Sequence, residues 1–206
     1  MAKIIHIIGG CATKKGVAKR TQNEDDAKIE YWGLNAIHFD WFDDYLWDRW
    51  FNLHKYQWLK ENHPKVLEKE YSFGIRYPEL LFYTVDEWPH RPTGRSILFP
   101  RSALEDDRRG WYHAGSFDWL VHYAMQTKPD IIYLHGIQLN LASGEPISAR
   151  ACLEYWCGRA EGVGTQVIAD EDCDLFYQYH LVRSRSVYGY DDVELIEDRT
   201  HDDAYK

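Results

Sequence analysis

The hydrophobic positions of this chain fall into two kinds of run. The first kind is short and continuous. Ile4, Ile5, Ile7 and Ile8 surround a single His6 and close on Gly9-Gly10; residues 28–34 (KIEYWGL) end at Asn35; residues 49–53 (RWFNL) end at His54; residues 130–137 (DIIYLHGI) and 165–169 (TQVIA) repeat the pattern. A strand covered on both faces of a parallel sheet has no polar side to alternate with, so these five runs predict central parallel strands. Residues 97–99 predict a short further strand before Pro100, and residues 66–70 a weak one. The second kind of run has helical period. Phe117, Leu120, Val121 and Ala124 follow i, i+3, i+4, i+7 behind Ser116, which stands where an N-cap belongs. Ala149, Cys152, Leu153, Trp156 and Ala160 share one face of a helix expected over residues 145–161, with Arg150 and Glu154 turned away from it and Gly162 and Gly164 ending it. Residues 55–62 predict a short helix that Pro64 stops.

The remaining segments are less regular. Residues 39–45 are aromatic and acidic and suit a loop or one helical turn, residues 71–92 carry four turn formers and leave their order open, and residues 101–109 suit a charged helical turn. Residues 172–180 predict a short helix and residues 188–190 a turn; residues 191–206 hold seven acidic side chains against two basic ones and suit a solvated tail. Strands alternating with helices give an α/β fold: one Rossmann-like domain over residues 1–190, a mostly parallel sheet with helices on both faces in three layers.

Composition narrows the partners. A chain of 206 residues buries a full core without staples, and its 45% apolar and 28% charged content is ordinary. Aromatic content of 16%, with 9 Trp and 15 Tyr, points first to an aromatic core and second to an aromatic-lined cleft. A net charge of −9 argues against an extended duplex nucleic-acid interface, since phosphate contacts select basic faces. Cys11, Cys152, Cys157 and Cys173 fit neither a zinc spacing nor a dense disulfide framework, and the histidines lack HxH or HxxxH pairing, so free thiols, no metal centre and a cytoplasmic, membrane-free location are expected.

Chemistry concentrates at the ends of the predicted strands, where open α/β sheets bind ligands. Gly9 and Gly10 permit close backbone approach, and Lys14, Lys15, Lys19 and Arg20 follow them; the frame matches neither GxGxxG nor a P-loop, leaving phosphate contact or a solvated turn. Asn35 offers an amide to a base or ribose, or serves as a turn residue. Gly115-Ser116 opens a helix whose N–H groups suit an anion, although Asp118 competes for the same field. His135 at a strand end and His113 before the helix are candidate general bases. Asp118 and His122, four apart, make an orienting pair or a surface pair. Arg150 and Glu154 make an acceptor or phosphate clamp, or an intrahelical ion pair.

The segments GSFDWLVHYAMQTKPDIIYLHGIQL and ISARACLEYWCGRAEGVGTQVI, with IEYWGLN, DRWFNLH and YGY, resemble a family of small Rossmann-like proteins carried by bacteriophages and prophages. More distantly, the first glycine turn, Asn35 and the Gly115-Ser116 helix start look like bacterial sialyltransferases with CMP-sugar donors and like archaeal-type pterin diphosphokinases. The resemblance implies that Gly9, Gly10, Asn35, Gly115 and Ser116 line a nucleotide site. Gln138 stands where that family has Asp, and GGCATKKG replaces its Gly-x-(G/A)-P-S turn. The expected function is a glycosyltransferase-like group transferase with a nucleotide or nucleotide-sugar donor. His135 or His113 would be the base, and Gln138, Arg150 and Glu154 would lie toward the acceptor or phosphate. A non-catalytic nucleotide-binding or host-interaction protein and a pterin-type diphosphokinase, which alone would require Mg²⁺, are the alternatives.

Overall fold

The computed structural model describes residues 2–21, 28–35, 39–45, 47–105, 112–139, 147–171 and 173–176. Seven strands are described: β1 (Lys3–Ile8), β2 (Lys28–Leu34), β3 (Arg49–Asn52), β4 (Leu81–Thr84), β5 (Ser96–Leu98), β6 (Ile131–His135) and β7 (Gln166–Ala169). They form one sheet in the order β5-β4-β3-β2-β1-β6-β7, and every neighbouring pair is parallel. The expected α/β, Rossmann-like architecture is what the chain adopts.

Side chains alternate through the sheet into two separate cores, which is why the strands read as unbroken apolar runs. Ile5, Ile7, Trp32, Leu34, Phe51 and Tyr83 point to one face. There they meet Leu120, Val121 and Ala124 of helix α5 (Ser116–Gln126), Leu153 and Trp156 of helix α6 (Ile147–Gly162), and Leu104 of the short α4 (Arg101–Glu105). Ile8, Trp50 and Phe82 point to the other face, against Val17 of α1 (Lys14–Thr21), Leu59 of α2 (Tyr56–Asn62), and Leu67 and Phe73 of α3 (Pro64–Arg76). Three layers result. Trp32, Trp50 and Trp156 are fully buried and Trp41, Trp47 and Trp88 nearly so, so the aromatic excess is mostly core.

Two expectations give way. Helix α2 ends at Asn62 as expected, but Pro64 then opens a second helix, in whose first turn its missing N–H costs nothing, and residues 66–70 are the body of that helix, α3, rather than a strand. The basic segment after Gly9-Gly10 is helix α1 rather than a turn, with the Lys14 ammonium 2.6 Å from Asp44. Within residues 71–92 lies strand β4, LFYT, too short for its period to show among flanking turn residues. Residues 39–44 form a 3₁₀ turn, and β3 stops at Asn52. The expected turn at 188–190 and tail at 191–206 lie outside the described residues. So does most of the expected 172–180 helix, of which residues 173–176 carry no regular structure.

The chain runs outward from β1 to β5, then returns to place β6 on the other side of β1. Strand order therefore reverses between β1 and β6, and that reversal opens a crevice at the carboxyl ends of the strands. The backbone closes the floor of the crevice tightly. Gly9 N–H donates to His135 O (2.7 Å) and Cys11 N–H to Gly136 O (3.0 Å). Gly136 has φ +54, and a Cβ there would fall on the backbone of Cys11 and Ala12.

Candidate functional site

Two adjoining cavities occupy this crevice. The larger, about 570 Å³, collects Gly10 and Cys11 after β1, Asn35 after β2, Gly136 and Gln138 after β6, and the α5 N-terminus. The smaller, about 320 Å³, lies over β3–β5 and is lined by Val85, Phe99, Arg101, His113 and Trp119 among others. His54, Ala114, Gly115 and Ser116 line both, so the strand end of β3 and the start of α5 form the shared wall.

Of the residues singled out in sequence, Gly10, Asn35, Gly115, Ser116 and Gln138 line the larger cavity, and His113, Gly115 and Ser116 the smaller. Asn35 closes β2 in the left-handed conformation, φ +53. Its N–H donates to Phe51 O (2.8 Å), and its carbonyl accepts from Trp50 Nε1 (2.7 Å). The backbone is thus pinned by β3 while the carboxamide is left to the cavity, where Oδ1 is buried and has no hydrogen-bond partner among the described residues. Such an acceptor is costly without a donor, so it favours a ligand that brings one.

Other residues land elsewhere. Gly9 is buried beneath the cavity, and its hydrogen is spent on contact with Gly136: a Cβ on Gly9 would lie 2.6 Å from Gly136 O. The Arg150 Nε–Glu154 Oε1 pair (3.0 Å) is the intrahelical ion pair, and Glu154 also accepts the Phe176 N–H (2.9 Å); among the described residues neither lines the crevice. Lys14, Lys15 and Lys19 lie on α1 and do not line it either. Ser116 is the first residue of α5, not its N-cap; Gly115 takes that position with extended backbone.

Asp118 explains the local fold at that helix start. Its buried carboxylate turns back over the first turn, and Oδ2 accepts from the N–H groups of Ala114 (2.8 Å) and Gly115 (2.9 Å). The anion-binding capacity of this terminus is thereby partly occupied from within the protein. Asp118 and His122 are not a surface pair, because both are buried, and His113 comes between them. His113 Nδ1 lies 3.0 Å from Asp118 Oδ1, and His113 Nε2 lies 3.2 Å from His122 Nδ1. Trp119 stacks on the His113 ring at 3.5 Å and Trp156 on His122 at 3.6 Å. His113 therefore touches the smaller cavity from a tightly packed network with both ring nitrogens engaged.

His135 has the same arrangement one layer deeper. It is fully buried, with Nδ1 2.7 Å from Asp170 Oδ2 and Nε2 2.9 Å from His6 Nδ1. Burial opposes the Asp170 charge, but hydrogen bonds from His135 and the Gly136 N–H outweigh it and hold the carboxyl below its usual range. Burial, with His135 alongside, pushes His6 down to about 3, so His6 is a neutral, stacked core histidine. His135 is the middle of an internal network and lines neither cavity.

The residue that reading by sequence passed over is His54. It follows β3 and is the only titratable side chain in the wall shared by both cavities. The signal was present: the same strand-end position that drew attention to His135.

Among the described residues, no group of three His, Cys, Asp or Glu side chains is placed to hold a metal ion, and no helix is long and apolar enough to cross a membrane. The four cysteines are free thiols, Cys11 exposed and the others buried. Compared with known proteins, the chain matches no family model, no curated protein and no solved structure.

Proposed function

We propose that this chain is a nucleotide-binding group transferase, glycosyltransferase-like in the organisation of its site. The nucleotide of the donor would occupy the larger cavity, with Gly10 and the α5 start toward its phosphates and Asn35 on the base or ribose. The acceptor would occupy the smaller one. The observation that carries this reading is the pair of cavities sharing one wall at the strand-order reversal, where parallel α/β sheets gather their ligands. A bisubstrate reaction needs two such subsites in contact, whereas a simple binding protein needs one.

A second reading is a non-catalytic nucleotide-binding protein. It is favoured by Gln138, which lines the larger cavity where the resembling family carries an acid. Nucleotide bound intact, with no turnover of any nucleotide-sugar, selects this reading.

The test is a thermal-shift screen against CMP-, UDP-, GDP- and ADP-linked ligands, ATP and pterins. A ligand at a hundredfold its Kd stabilises by about 2.7 kcal/mol, which moves Tm by roughly 5–10 °C in a chain of this size. One nucleotide class is expected to give that shift, and Ser116→Ala to reduce it. No shift with any nucleotide overturns the proposal; strict dependence on ATP and Mg²⁺ would move it to a diphosphokinase.

A further inference from the structure

His54 stands at the end of a buried polar chain that neither His135 nor His113 shares. Glu70 of α3 and Asn52 of β3 are both fully buried. Asn52 Nδ2 lies 2.8 Å from each Glu70 carboxyl oxygen. Asn52 Oδ1 accepts the backbone N–H of His54 at 3.0 Å and lies 3.2 Å from His54 Nδ1. The backbone N–H is a donor without ambiguity, so the Asn52 atom facing it is the oxygen, and the amide nitrogen faces Glu70. An oxygen acceptor in that place requires the proton of the neutral His54 ring to be on Nδ1. The lone pair is then on Nε2. Trp58 stacks on the ring at 4.8 Å and fixes its plane.

We propose that His54 Nε2 is the general base of the crevice, taking the proton of an acceptor hydroxyl bound in the smaller cavity, with Asn52 and Glu70 as its positioning residues. This deepens the transferase reading and rests on it. The acceptor oxygen attacks the electrophilic donor atom as its O–H bond breaks. The bond from that atom to the nucleotide phosphate oxygen breaks, the nucleotide leaves with the electron pair, and the proton ends on Nε2. The place suits the task because His54 touches both cavities, whereas His135 lines neither and both ring nitrogens of His113 are engaged.

The surroundings keep the ring neutral. Burial, and then His63, hold the His54 pKa below the ordinary histidine value. Among the described residues, the charged or titratable groups that line the two cavities with it are Arg101, His113, Asp118 and the Cys11 thiol, and Glu70 lies behind Asn52. Burial raises Glu70 to about 8 against the opposing Asn52 hydrogen bond, so at neutral pH the chain behind His54 carries no full charge that would favour imidazolium.

The test reads the tautomer and the reactivity of His54 on the full chain. Long-range ¹H–¹⁵N spectra of ¹⁵N-histidine protein, with His54 assigned by its loss in His54→Gln, are expected to show a neutral ring protonated on Nδ1 at pH 7. Diethyl pyrocarbonate is expected to modify His54 faster than His113 or His135, and millimolar concentrations of the nucleotide that stabilises the fold are expected to slow that modification. Asn52→Ala is expected to shift the tautomer ratio toward Nε2–H about fivefold, the worth of one net hydrogen bond. If that variant does not fold, the wild-type spectrum alone still decides. An Nε2–H tautomer, an imidazolium at pH 7, or His54 reacting more slowly than the buried pair overturns the proposal. So does a bound nucleotide that leaves the His54 rate unchanged. No nucleotide stabilisation at all, with the Nδ1–H ring retained, removes the transferase reading itself and with it the role of His54.

Discussion

Asn35 shows how one side chain serves fold and site at once. Its left-handed backbone is held from both sides by β3, so the conformation belongs to the sheet, and the carboxamide is the part that faces the crevice. Glycine adopts the same backbone without strain and has no amide. Asn35→Gly is therefore expected to keep unfolding free energy within about 0.5 kcal/mol of wild type, while, on the proposed function, the thermal shift given by a nucleotide falls by half or more. Equal nucleotide shifts in both proteins would show that Asn35 is a turn residue only. His54 teaches the complementary lesson. Its position after a strand was visible in sequence, but its tautomer depends on Asn52 and Glu70, and Glu70 is 16 positions away on another layer.

Elements inherit consequences from such residues. Helix α3 carries Glu70 into the core against β3, and Phe73 and Leu67 beside it supply the apolar contact that removes water. Glu70 is raised from an ordinary carboxyl value to about 8. In the unfolded chain it ionises near 4.5, whereas in the folded protein it stays protonated until about 8. Its folded-state advantage is intact below the lower value and is lost as pH rises through the higher one. Glu70→Gln has no such proton, so the stability of this variant relative to wild type is expected to rise between pH 5 and 9 in urea titrations. A pH-independent difference would mean that Glu70 ionises normally. Helix α5 makes a similar point at its start. Asp118, four positions before His122, suggested an orienting or surface pair, and the structure uses it to cap Ala114 and Gly115 and to hold His113.

At the scale of the whole molecule, the β1–β6 pairing that joins the two halves of the sheet ends in a tight glycine contact. Gly136 passes under the β1–α1 turn with φ +54, and a side chain there meets backbone rather than a movable side chain. Left-handed backbone alone costs an L-residue about 1–2 kcal/mol, and the clash adds to it. Gly136→Ala is expected to lower unfolding free energy by more than about 2 kcal/mol and, on the proposed function, to weaken nucleotide binding, because the crevice floor must shift. A fully stable Gly136→Ala would mean that the β1–β6 junction is slack. The strand-order reversal at the same junction places a ligand crevice there rather than at any other edge.

Local patterning determined much of this protein. Six of the seven described strands, helices α2, α5 and α6, and the parallel three-layer architecture follow from apolar runs and helical stripes, because burial on one or both faces writes its period directly into sequence. Strand β4 and helix α3 were illegible: β4 is four residues among turn formers, and Pro64 reads equally as a stop or as a first-turn residue until the following chain is placed. The strand-end residues Gly10, Asn35 and Gln138 and the helix-start residues Gly115 and Ser116 were legible as crevice residues because parallel strands and the helices that follow them deliver these ends to one side. What only tertiary structure decided was which polar groups are spent inside. Gly9 goes to Gly136, and His135 to Asp170 and His6. His54 is left facing both cavities, because hydrogen-bond partners far apart in sequence are chosen by packing and not by local pattern.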